Sequence, residues 1–222
     1  MNKETFCAAL ELSCVRQKHS VEEIKAMAAL ALECRGAAAF SMPAHGALLA
    51  ELLKGQSEVK PGAVIGFPAG EELPGEKRYQ AERLLAAGCR EFDMVMNLSW
   101  LADGKTEKIV EEIRAVKGTV GEHTLKVIVE ASLLTDEELR RACEAVILGG
   151  ADYVKTGTGW HGPASCDMIR KIKGYVKDEV RIKAAGGLRE KSVIEEMCRL
   201  GCHRFGIGVS SARALLDAWE KG

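Results

Sequence analysis

Short β-forming runs and amphipathic helical runs alternate along almost the whole chain. Thr135 with Glu138 three positions later forms a capping box, and Gly149-Gly150 ends the same helix. Eight strand-like runs occupy residues 11–15, 37–42, 63–68, 91–97, 125–130, 151–155, 180–185 and 204–209. Their spacing is close to the roughly 25–30 residues of a βα repeat. The pattern predicts an α/β fold of the (β/α)8 (TIM) barrel type, preceded by a short N-terminal helix.

The main alternative for this alternation is an open, doubly wound sheet. Such sheets carry a G-x-G-x-x-G turn after the first strand, and the sequence has none there. The longest predicted helix, residues 99–117, contains a potential interruption at Gly104. No Ser- or Pro-rich linker and no low-complexity segment divides the chain. We therefore expect one barrel domain over residues 1–222.

Composition narrows the classes of partner. Of the 222 residues, 47% are hydrophobic and 28% are charged, which suits one fully cored domain. The net charge is −1 without a basic run, and aromatic residues make up 5%, which argues against nucleic acid as a partner. No apolar run approaches the ~18 residues of a spanning helix, and the N-terminus lacks a signal-peptide pattern. We expect no membrane association and a cytoplasmic location.

The eight cysteines are scattered and form no C-x-x-C pair. In a chain of this length such cysteines are typical of reduced thiols that fill apolar positions. The five histidines show no H-x-x-x-H spacing, and Cys198 and Cys202 beside His203 have no further ligands nearby in sequence. We expect neither a metal nor another cofactor.

Two lysines stand at the ends of consecutive predicted strands. Lys155 precedes Thr156-Gly157-Thr158-Gly159, and Lys183 precedes Ala184-Ala185-Gly186-Gly187. Adjacent barrel strands would hold the two amines side by side at the C-terminal ends, where barrel active sites lie. An isolated lysine titrates at about 10.4, and a nearby cation and partial desolvation lower its pKa. We expect Lys155 to be a Schiff-base nucleophile and Lys183 the neighbour that tunes its pKa.

The fourth strand adds an acid to this pair. Alternation gives one face to Glu91, Asp93, Val95 and Asn97 and the other to Phe92, Met94 and Met96. A carboxylate such as Asp93 can move protons during carbinolamine formation and C–C cleavage. A structural alternative stays open, because strand-end lysines are often solvated and Asp93 could simply form an ion pair with either lysine.

Glycines follow the seventh and eighth strands. Gly186-Gly187 ends one strand, and Gly206, Gly208 and Ser210 lie at the end of the other, where a helix begins. Free backbone N–H groups at these two barrel loops are the usual cradle for a phosphate. The alternative is that these glycines only allow tight turns.

Five segments carry a resemblance to a known family. They are G-F-P-A-G (66–70), E-F-D-M-V-M-N (91–97), K-V-I-V-E (126–130), V-K-T-G-T-G-W (154–160) and I-K-A-A-G-G-L-R (182–189). Their order and spacing resemble those of deoxyribose-phosphate aldolases, over nearly the whole chain from about Ser20 onward. The resemblance implies a class I aldolase on a (β/α)8 barrel, without metal, that splits 2-deoxyribose 5-phosphate into glyceraldehyde 3-phosphate and acetaldehyde.

The resemblance also implies roles for single residues. Lys155 would be the Schiff-base lysine, Lys183 the lysine that perturbs its pKa, and Asp93 the proton-relay acid/base. The phosphate and the substrate would be held by Gly186, Gly187, Gly208 and Ser210, with Thr156, Thr158, Gly159 and Gly206 as further candidates. The expected partner is a small phosphorylated sugar, and family analogy suggests a homodimer.

The chain departs from the family pattern at four places. Leu12-Ser13-Cys14 stands where the first strand usually reads Asp-His-Thr, and Phe40 and Met42 replace the Cys and Asn of V-C-V-N-P. Gly157 replaces the Ser of K-T-S-T-G, and the last loop reads G-I-G-V-S-S. Two alternatives therefore stay open: a related Schiff-base aldolase for another phosphorylated sugar or keto compound, whose pocket Leu12, Phe40 and Met42 would make more apolar, and a non-catalytic sugar-phosphate-binding barrel.

Overall fold

The structure is a computed structural model that describes residues 1–73 and 75–220. Eight parallel strands pair in sequential order, and β8 closes on β1, so the predicted (β/α)8 barrel is confirmed. The other three positions of the range 1–222 lie outside the described residues. The strands are β1 Leu10–Cys14, β2 Ala38–Ser41, β3 Lys60–Ile65, β4 Glu91–Val95, β5 Thr124–Ile128, β6 Tyr153–Lys155, β7 Arg181–Ala185 and β8 Arg204–Gly208.

Helices cover the outside of the barrel and connect consecutive strands. They are α1 Lys3–Ala9, α2 Val21–Glu33, α3 Gly46–Leu52, α4 Glu76–Ala86, α5 Leu98–Ala102, α6 Thr106–Val120, α7 Asp136–Gly149, α8 Cys166–Val176, α9 Lys191–Arg199 and α10 Val209–Glu220. The capping box predicted at Thr135 and Glu138 is present at the start of α7. Ser20 and Glu23 form a second one at α2. Each satisfies backbone N–H groups that the first helical turn leaves free.

The helix predicted over residues 99–117 is two helices. α5 ends at Ala102, and Gly104, with φ of 72°, turns the chain before α6 begins at Thr106. A positive φ is cheap for glycine and interrupts the helical hydrogen bonds. Asn97 starts α5 as its cap, because its side-chain oxygen accepts a hydrogen bond from Trp100 N at 2.8 Å.

Both faces of the barrel strands are buried, but they differ in chemistry. On β4, Phe92 and Met94 belong to the apolar core between the barrel and its helices. Glu91 and Asp93 alternate with them and point to the barrel interior, where they are also buried. The predicted alternation of β4 is therefore present, with a charged interior rather than the usual layers of Val, Ile and Leu.

The leading helix packs beside the last one. Phe6 of α1 stacks on Trp219 of α10 with ring centroids 3.9 Å apart. Lys3 forms an ion pair with Glu220. Since α1 runs directly into β1, these contacts join the beginning of the barrel to its end. Within residues 1–73 and 75–220, no helix is both long and apolar enough to cross a membrane.

Two helix glycines give a matched test of packing. A Cβ on Gly149 of α7 would lie 2.4 Å from Ile113 Cγ2 of α6, whereas a Cβ on Gly118 of α6 would meet nothing within 4 Å. Gly149→Ala should lower the free energy of unfolding by about 1–3 kcal/mol because α6 and α7 must move apart. Gly118→Ala should raise it by about 0.5–1 kcal/mol because alanine loses less backbone entropy. Urea denaturation measures both, and equal effects would contradict the close approach of α6 and α7.

Candidate active site

Lys155 and Lys183 meet in the barrel interior, where Lys155 ends β6 and Lys183 lies in the middle of β7. They are direct partners in the strand register. Their amines both donate to the same oxygen of Asp93 on β4: Lys155 Nζ lies 2.7 Å and Lys183 Nζ 2.6 Å from Asp93 Oδ2. All three side chains are almost completely buried and line one cavity of about 660 Å³. The structure thus brings together the three residues for which the sequence predicted catalytic roles.

Lys155 has the chemistry of a usable nucleophile. Burial, which disfavours the ammonium form, is the main cause that lowers its pKa to about 8. Asp93 opposes this shift, and the charge of Lys183 adds to it. A group with this pKa carries an appreciable fraction of free amine near neutral pH. The sequence predicted the lowered pKa, but desolvation outweighs the neighbouring lysine.

Asp93 remains a carboxylate in this site. Burial alone would raise its pKa, but the ammonium groups of Lys155, Lys183 and Lys126 outweigh burial and hold the pKa well below its usual range. Its second oxygen, Oδ1, accepts no hydrogen bond from the described residues and lies 3.6 Å from Lys126 Nζ. One oxygen is therefore taken by the two lysines, and the other can receive a proton.

A second layer of charge, which sequence reasoning missed, lies deeper in the barrel. Lys126 of β5 forms ion pairs with Glu91 and, at 3.4 Å, with Glu11 Oε1 of β1. Glu11 also contacts Lys183. Burial opposes the charged form of Lys126, yet Glu11, Glu91 and Asp93 together raise its pKa. Burial raises the pKa of Glu91, although the charge of Lys126 acts to lower it.

The first strand corrects one prediction from sequence. Leu12 belongs to the outer apolar core and does not face the cavity, so it cannot make the pocket more apolar. The preceding residue, Glu11, turns inward and supplies a carboxylate to Lys183. Of the two second-strand departures, Phe40 lines the cavity, whereas Met42 is not among the described residues that do so. Alternation puts Glu11 and Lys126 on one face of β1 and β5, but the same pattern is typical of a half-exposed strand, so it did not identify them as interior charges.

The predicted binding residues gather at the cavity, with one exception. Thr158, Gly159, Gly186, Gly187, Gly206, Gly208 and Ser210 all line it. Thr156 is the residue that does not appear in the described lining. Its hydroxyl donates to Ala185 O at 3.2 Å and accepts from Ala185 N at 3.0 Å, so it joins β6 to β7 beside Lys155 and Lys183.

The glycines after β7 are required by the backbone itself. Gly186 and Gly187 have φ of 102° and 66°. A Cβ on Gly186 would lie 2.9 Å from Gly162 O, and one on Gly187 would lie 2.6 Å from Pro163 Cβ. Gly208, the last residue of β8, differs because a Cβ there would meet nothing within 4 Å. The space above Gly208 is therefore free for a ligand at the N-terminus of α10.

Three arginines that the sequence did not single out also line the cavity. Arg16 follows β1, Arg189 follows β7, and Arg213 lies early in α10. Arg16 is held by Glu23, with Nη2 2.5 Å from Oε1. Together with the N-terminus of α10, these guanidinium groups make the cavity suited to an anion.

The loop after Lys155 is held by a buried carboxylate. Glu130, at φ of 50°, accepts hydrogen bonds from Thr158 Oγ1 at 2.6 Å and from Thr158 N at 3.1 Å. A Cβ on Gly157 would lie 2.5 Å from Glu130 Oε1. The glycine that departs from the family motif is thus the residue that leaves room for this carboxylate.

The charged cluster pairs amines with carboxylates and offers no metal-binding set. Within the described ranges, no group of three or more His, Cys, Asp or Glu side chains is arranged to hold a metal ion. The eight cysteines are free thiols, and five of them are buried.

Comparison with known proteins identifies relatives that match this chain over nearly its whole length. Residues 5–218 match the family model described as DeoC/LacD family aldolase. A deoxyribose-phosphate aldolase of Sinorhizobium medicae (strain WSM419) is 37% identical over 208 residues, which are 93% of this chain and 84% of the relative. Deoxyribose-phosphate aldolase 1 of Bacillus licheniformis is 43% identical over 172 residues, covering 76% of this chain and 77% of the relative.

A solved structure agrees at the level of the fold. The deoxyribose phosphate aldolase of Aeropyrum pernix, described as having a unique tetrameric structure, superposes with a TM-score of 0.90 at 24% identity and covers 99% of this chain and 92% of its own. With the family match spanning the barrel and relatives well above 30% identity, this chain belongs to the DeoC/LacD family of aldolases.

Proposed function

We propose that this aldolase is a class I, Schiff-base enzyme that cleaves 2-deoxy-D-ribose 5-phosphate to D-glyceraldehyde 3-phosphate and acetaldehyde. The observation that carries the proposal is the single oxygen of Asp93 that accepts hydrogen bonds from both Lys155 and Lys183. It gives a nucleophilic amine, a neighbouring cation and a proton acceptor within one hydrogen-bonded group. The names of the Sinorhizobium medicae and Bacillus licheniformis relatives support the choice of substrate.

The reaction begins at the free amine of Lys155. Its lone pair attacks the aldehyde carbon of the open-chain sugar and forms a carbinolamine. Protonation of the carbinolamine hydroxyl releases water and leaves an iminium ion on Lys155. Asp93 and the ammonium of Lys183, which share a hydrogen bond at 2.6 Å, are the groups that can take up and return these protons.

C–C cleavage follows from the electron demand of the iminium. Loss of the proton from the C3 hydroxyl, through water to Asp93, turns C3 into the aldehyde carbon of glyceraldehyde 3-phosphate. The C2–C3 bond breaks, and its electron pair moves toward the iminium nitrogen to give an enamine. Protonation at C2 and hydrolysis then release acetaldehyde and restore the Lys155 amine.

Charge balance in the barrel interior favours the iminium. Lys155 donates a hydrogen bond to the Asp93 carboxylate, whose pKa is held well below its usual range. When Lys155 is a neutral amine, Asp93 loses one of the positive charges that face it. The iminium returns a positive charge to the same position, so its formation is stabilised by groups already in place.

The phosphate of the substrate would occupy the end of the cavity near Gly208 and Ser210. Backbone N–H groups at the start of α10 point a partial positive charge at that space. Arg189 and Arg213 line the same cavity and would offset the phosphate charge. Gly206 and Gly208 keep Cβ atoms away from this region.

A second candidate keeps the imine chemistry and changes the substrate. Phe40, in place of the family's Cys, puts an aromatic ring in the cavity. A bulkier, less polar wall favours a related aldolase that acts on another phosphorylated sugar or keto compound. A sugar-phosphate-binding barrel without catalysis is the remaining alternative, and it does not explain a lysine whose pKa is lowered to about 8.

The proposal includes a cellular location and an oligomeric state. Eight free cysteines suit the reducing cytoplasm, which is the proposed location. A homodimer is proposed from family analogy alone. The tetramer described for the Aeropyrum pernix protein is the assembly of that protein.

Reductive trapping tests the nucleophile. Borohydride added with 2-deoxyribose 5-phosphate should leave a stable adduct on Lys155, located by mass spectrometry of the tryptic peptides. Lys155→Met should abolish the adduct and lower kcat by about a thousandfold or more, because the covalent route is lost. Lys77→Met is a matched control, since Lys77 is equally buried but pairs with Glu112 between α4 and α6.

The pattern of trapping separates the candidates. An adduct at Lys155 with other sugar phosphates or keto compounds, but not with deoxyribose 5-phosphate, would favour the second candidate. Equal trapping in Lys155→Met and the unsubstituted protein would overturn the assignment of the nucleophile.

The pH dependence of imine formation tests the charge environment of Lys155. The ammonium form of Lys155 predominates below its pKa of about 8, so the rate of trapping should rise with pH to a half-maximum there. Asp93 favours the ammonium form, whereas burial and Lys183 oppose it. Asp93→Asn should therefore move the half-maximum to lower pH, although the maximal rate falls because the proton acceptor is lost. A half-maximum that moves to higher pH would contradict this balance.

Gly208→Ala tests the phosphate position. The added methyl meets no protein atom within 4 Å, so the free energy of unfolding should change by less than about 0.5 kcal/mol. It enters the proposed phosphate space, so KM for deoxyribose 5-phosphate should rise about tenfold or more. KM for unphosphorylated deoxyribose should change much less. Gly118→Ala, in open space on α6, is the control, and an unchanged KM in Gly208→Ala would place the phosphate elsewhere.

A further inference from the structure

Phe40 is an aromatic residue inside a charged cluster. It is 1% exposed and lies in the middle of β2, but it is absent from the apolar core that the other fully buried phenylalanines form. Its ring centroid lies 4.1 Å from Lys183 Nζ and 4.6 Å from Lys126 Nζ. Both distances are well inside the ~6 Å at which an ammonium group is attracted to an aromatic ring.

The position of the ring depends on a glycine in the next strand. Gly62 of β3 is the register partner of Phe40. A Cβ on Gly62 would lie 2.6 Å from Phe40 Cε1 and 2.7 Å from Cζ, which is closer than non-bonded carbons approach. Any residue other than glycine would therefore displace the ring from the two ammonium groups. Phe40 and Gly62 act as a pair.

Lys183 shares both of its carboxylate partners with another lysine. Asp93 Oδ2 is shared with Lys155, and Glu11 is shared with Lys126. The charged groups around Lys183 come from five other strands: Glu11 of β1, Glu91 and Asp93 of β4, Lys126 of β5, Lys155 of β6 and Arg204 of β8, the register partner of Lys183. Three of these are cations, which oppose the charge of Lys183.

An aromatic ring can attract the Lys183 ammonium group without the side effect that a further carboxylate would have. A carboxylate near Lys183 would also lie near Lys155 and favour its ammonium form, as Asp93 already does. The electron-rich face of a ring attracts the ammonium groups beside it without adding a net charge. It can therefore hold Lys183 as a cation while Lys155 remains free to lose its proton.

We propose that Phe40, seated against Gly62, is a positioning residue that holds Lys183 in its ammonium form while Lys155 is the free amine. This inference rests on the proposed Schiff-base function. In that reaction Lys155 must be neutral to attack, and Lys183 must be charged to donate its proton. The ring widens, on the alkaline side, the pH range in which both conditions hold.

The alkaline limb of the rate profile is the readout. The profile of kcat/KM for deoxyribose 5-phosphate against pH should be bell-shaped: its acid limb reports the loss of the proton from Lys155 and its alkaline limb the loss from Lys183. Phe40→Leu removes the ring face and keeps an apolar side chain. The alkaline limb should then move to lower pH by about 0.5–1 unit. Gly62→Ala, which displaces the ring, should move it in the same direction.

Phe92→Leu is the matched control for these variants. Phe92 is also fully buried, but it lies in the outer apolar core on β4. Its replacement loses a comparable volume without removing a ring from an ammonium group. The alkaline limb should keep its position in Phe92→Leu. A shift of the same size in Phe40→Leu and Phe92→Leu would reduce Phe40 to a space-filling residue and overturn the proposal.

Fluorinated phenylalanines at position 40 test the ring electrostatics with almost no change in shape, and they remain informative if Phe40→Leu does not fold. Fluorine withdraws electron density from the ring face, so each added fluorine weakens the attraction for an ammonium group. The alkaline limb should move progressively to lower pH from phenylalanine through 4-fluoro- to 3,4,5-trifluorophenylalanine. A limb that does not follow the fluorine series would overturn the proposal.

A second readout is independent of catalysis. The 13Cε resonance of Lys183, assigned by its loss in Lys183→Met, reports the titration of this amine in the protein without substrate. Its midpoint should fall along the same fluorine series and stay constant in Phe92→Leu. If this shift appears but no deoxyribose 5-phosphate is cleaved, the proposed function is wrong and the role of Phe40 stands. If cleavage occurs and the midpoint does not move, the role of Phe40 is wrong.

Discussion

The free-energy cost of burying charged groups constrains which side chains can lie together in the interior of this barrel. Removing an ion from water costs several kcal/mol even after the protein relaxes, unless a partner of opposite charge and further hydrogen bonds offset it. Three buried lysines and three buried carboxylates occupy the interior, and each carboxylate contacts at least one amine. The strand register brings them together, since Lys155 and Lys183 are paired across β6 and β7. The closed sheet is therefore what allows these six groups to be buried.

The fold followed from the sequence because strand and helix periodicities are local. Eight alternating runs identified the eight strands, and the capping box at Thr135 marked α7 correctly. The break at Gly104 was only a potential interruption in the sequence, because a glycine inside a helical pattern can be tolerated. The site was partly predictable for a related reason: Lys155 and Lys183 follow apolar residues of predicted strands, near the strand ends where barrel active sites lie, and alternation put Asp93 on one face of β4.

The deeper charges were hidden by the same alternation. In a barrel both strand faces are buried, so a charged residue in mid-strand has the pattern of an ordinary half-exposed strand. Glu11 and Lys126 were missed for this reason. The contact between Phe40 and Gly62 could not be predicted for a different reason. It joins two strands, and the sequence does not give their register. Gly157 could be read as a departure from a motif, but its reason, the carboxylate of Glu130, required the folded loop.

The number of carboxylates around each amine supports the choice of Lys155 as the proposed nucleophile. Lys126 lies near Glu11, Glu91 and Asp93, and these raise its pKa in spite of burial. Lys155 hydrogen-bonds one carboxylate, Asp93, and burial lowers its pKa to about 8. Both lysines are almost completely buried, so desolvation alone cannot separate them. Because Lys155 ends its strand, lines the cavity and contacts the fewest carboxylates, it is the amine best placed to be both neutral and accessible to a substrate carbonyl.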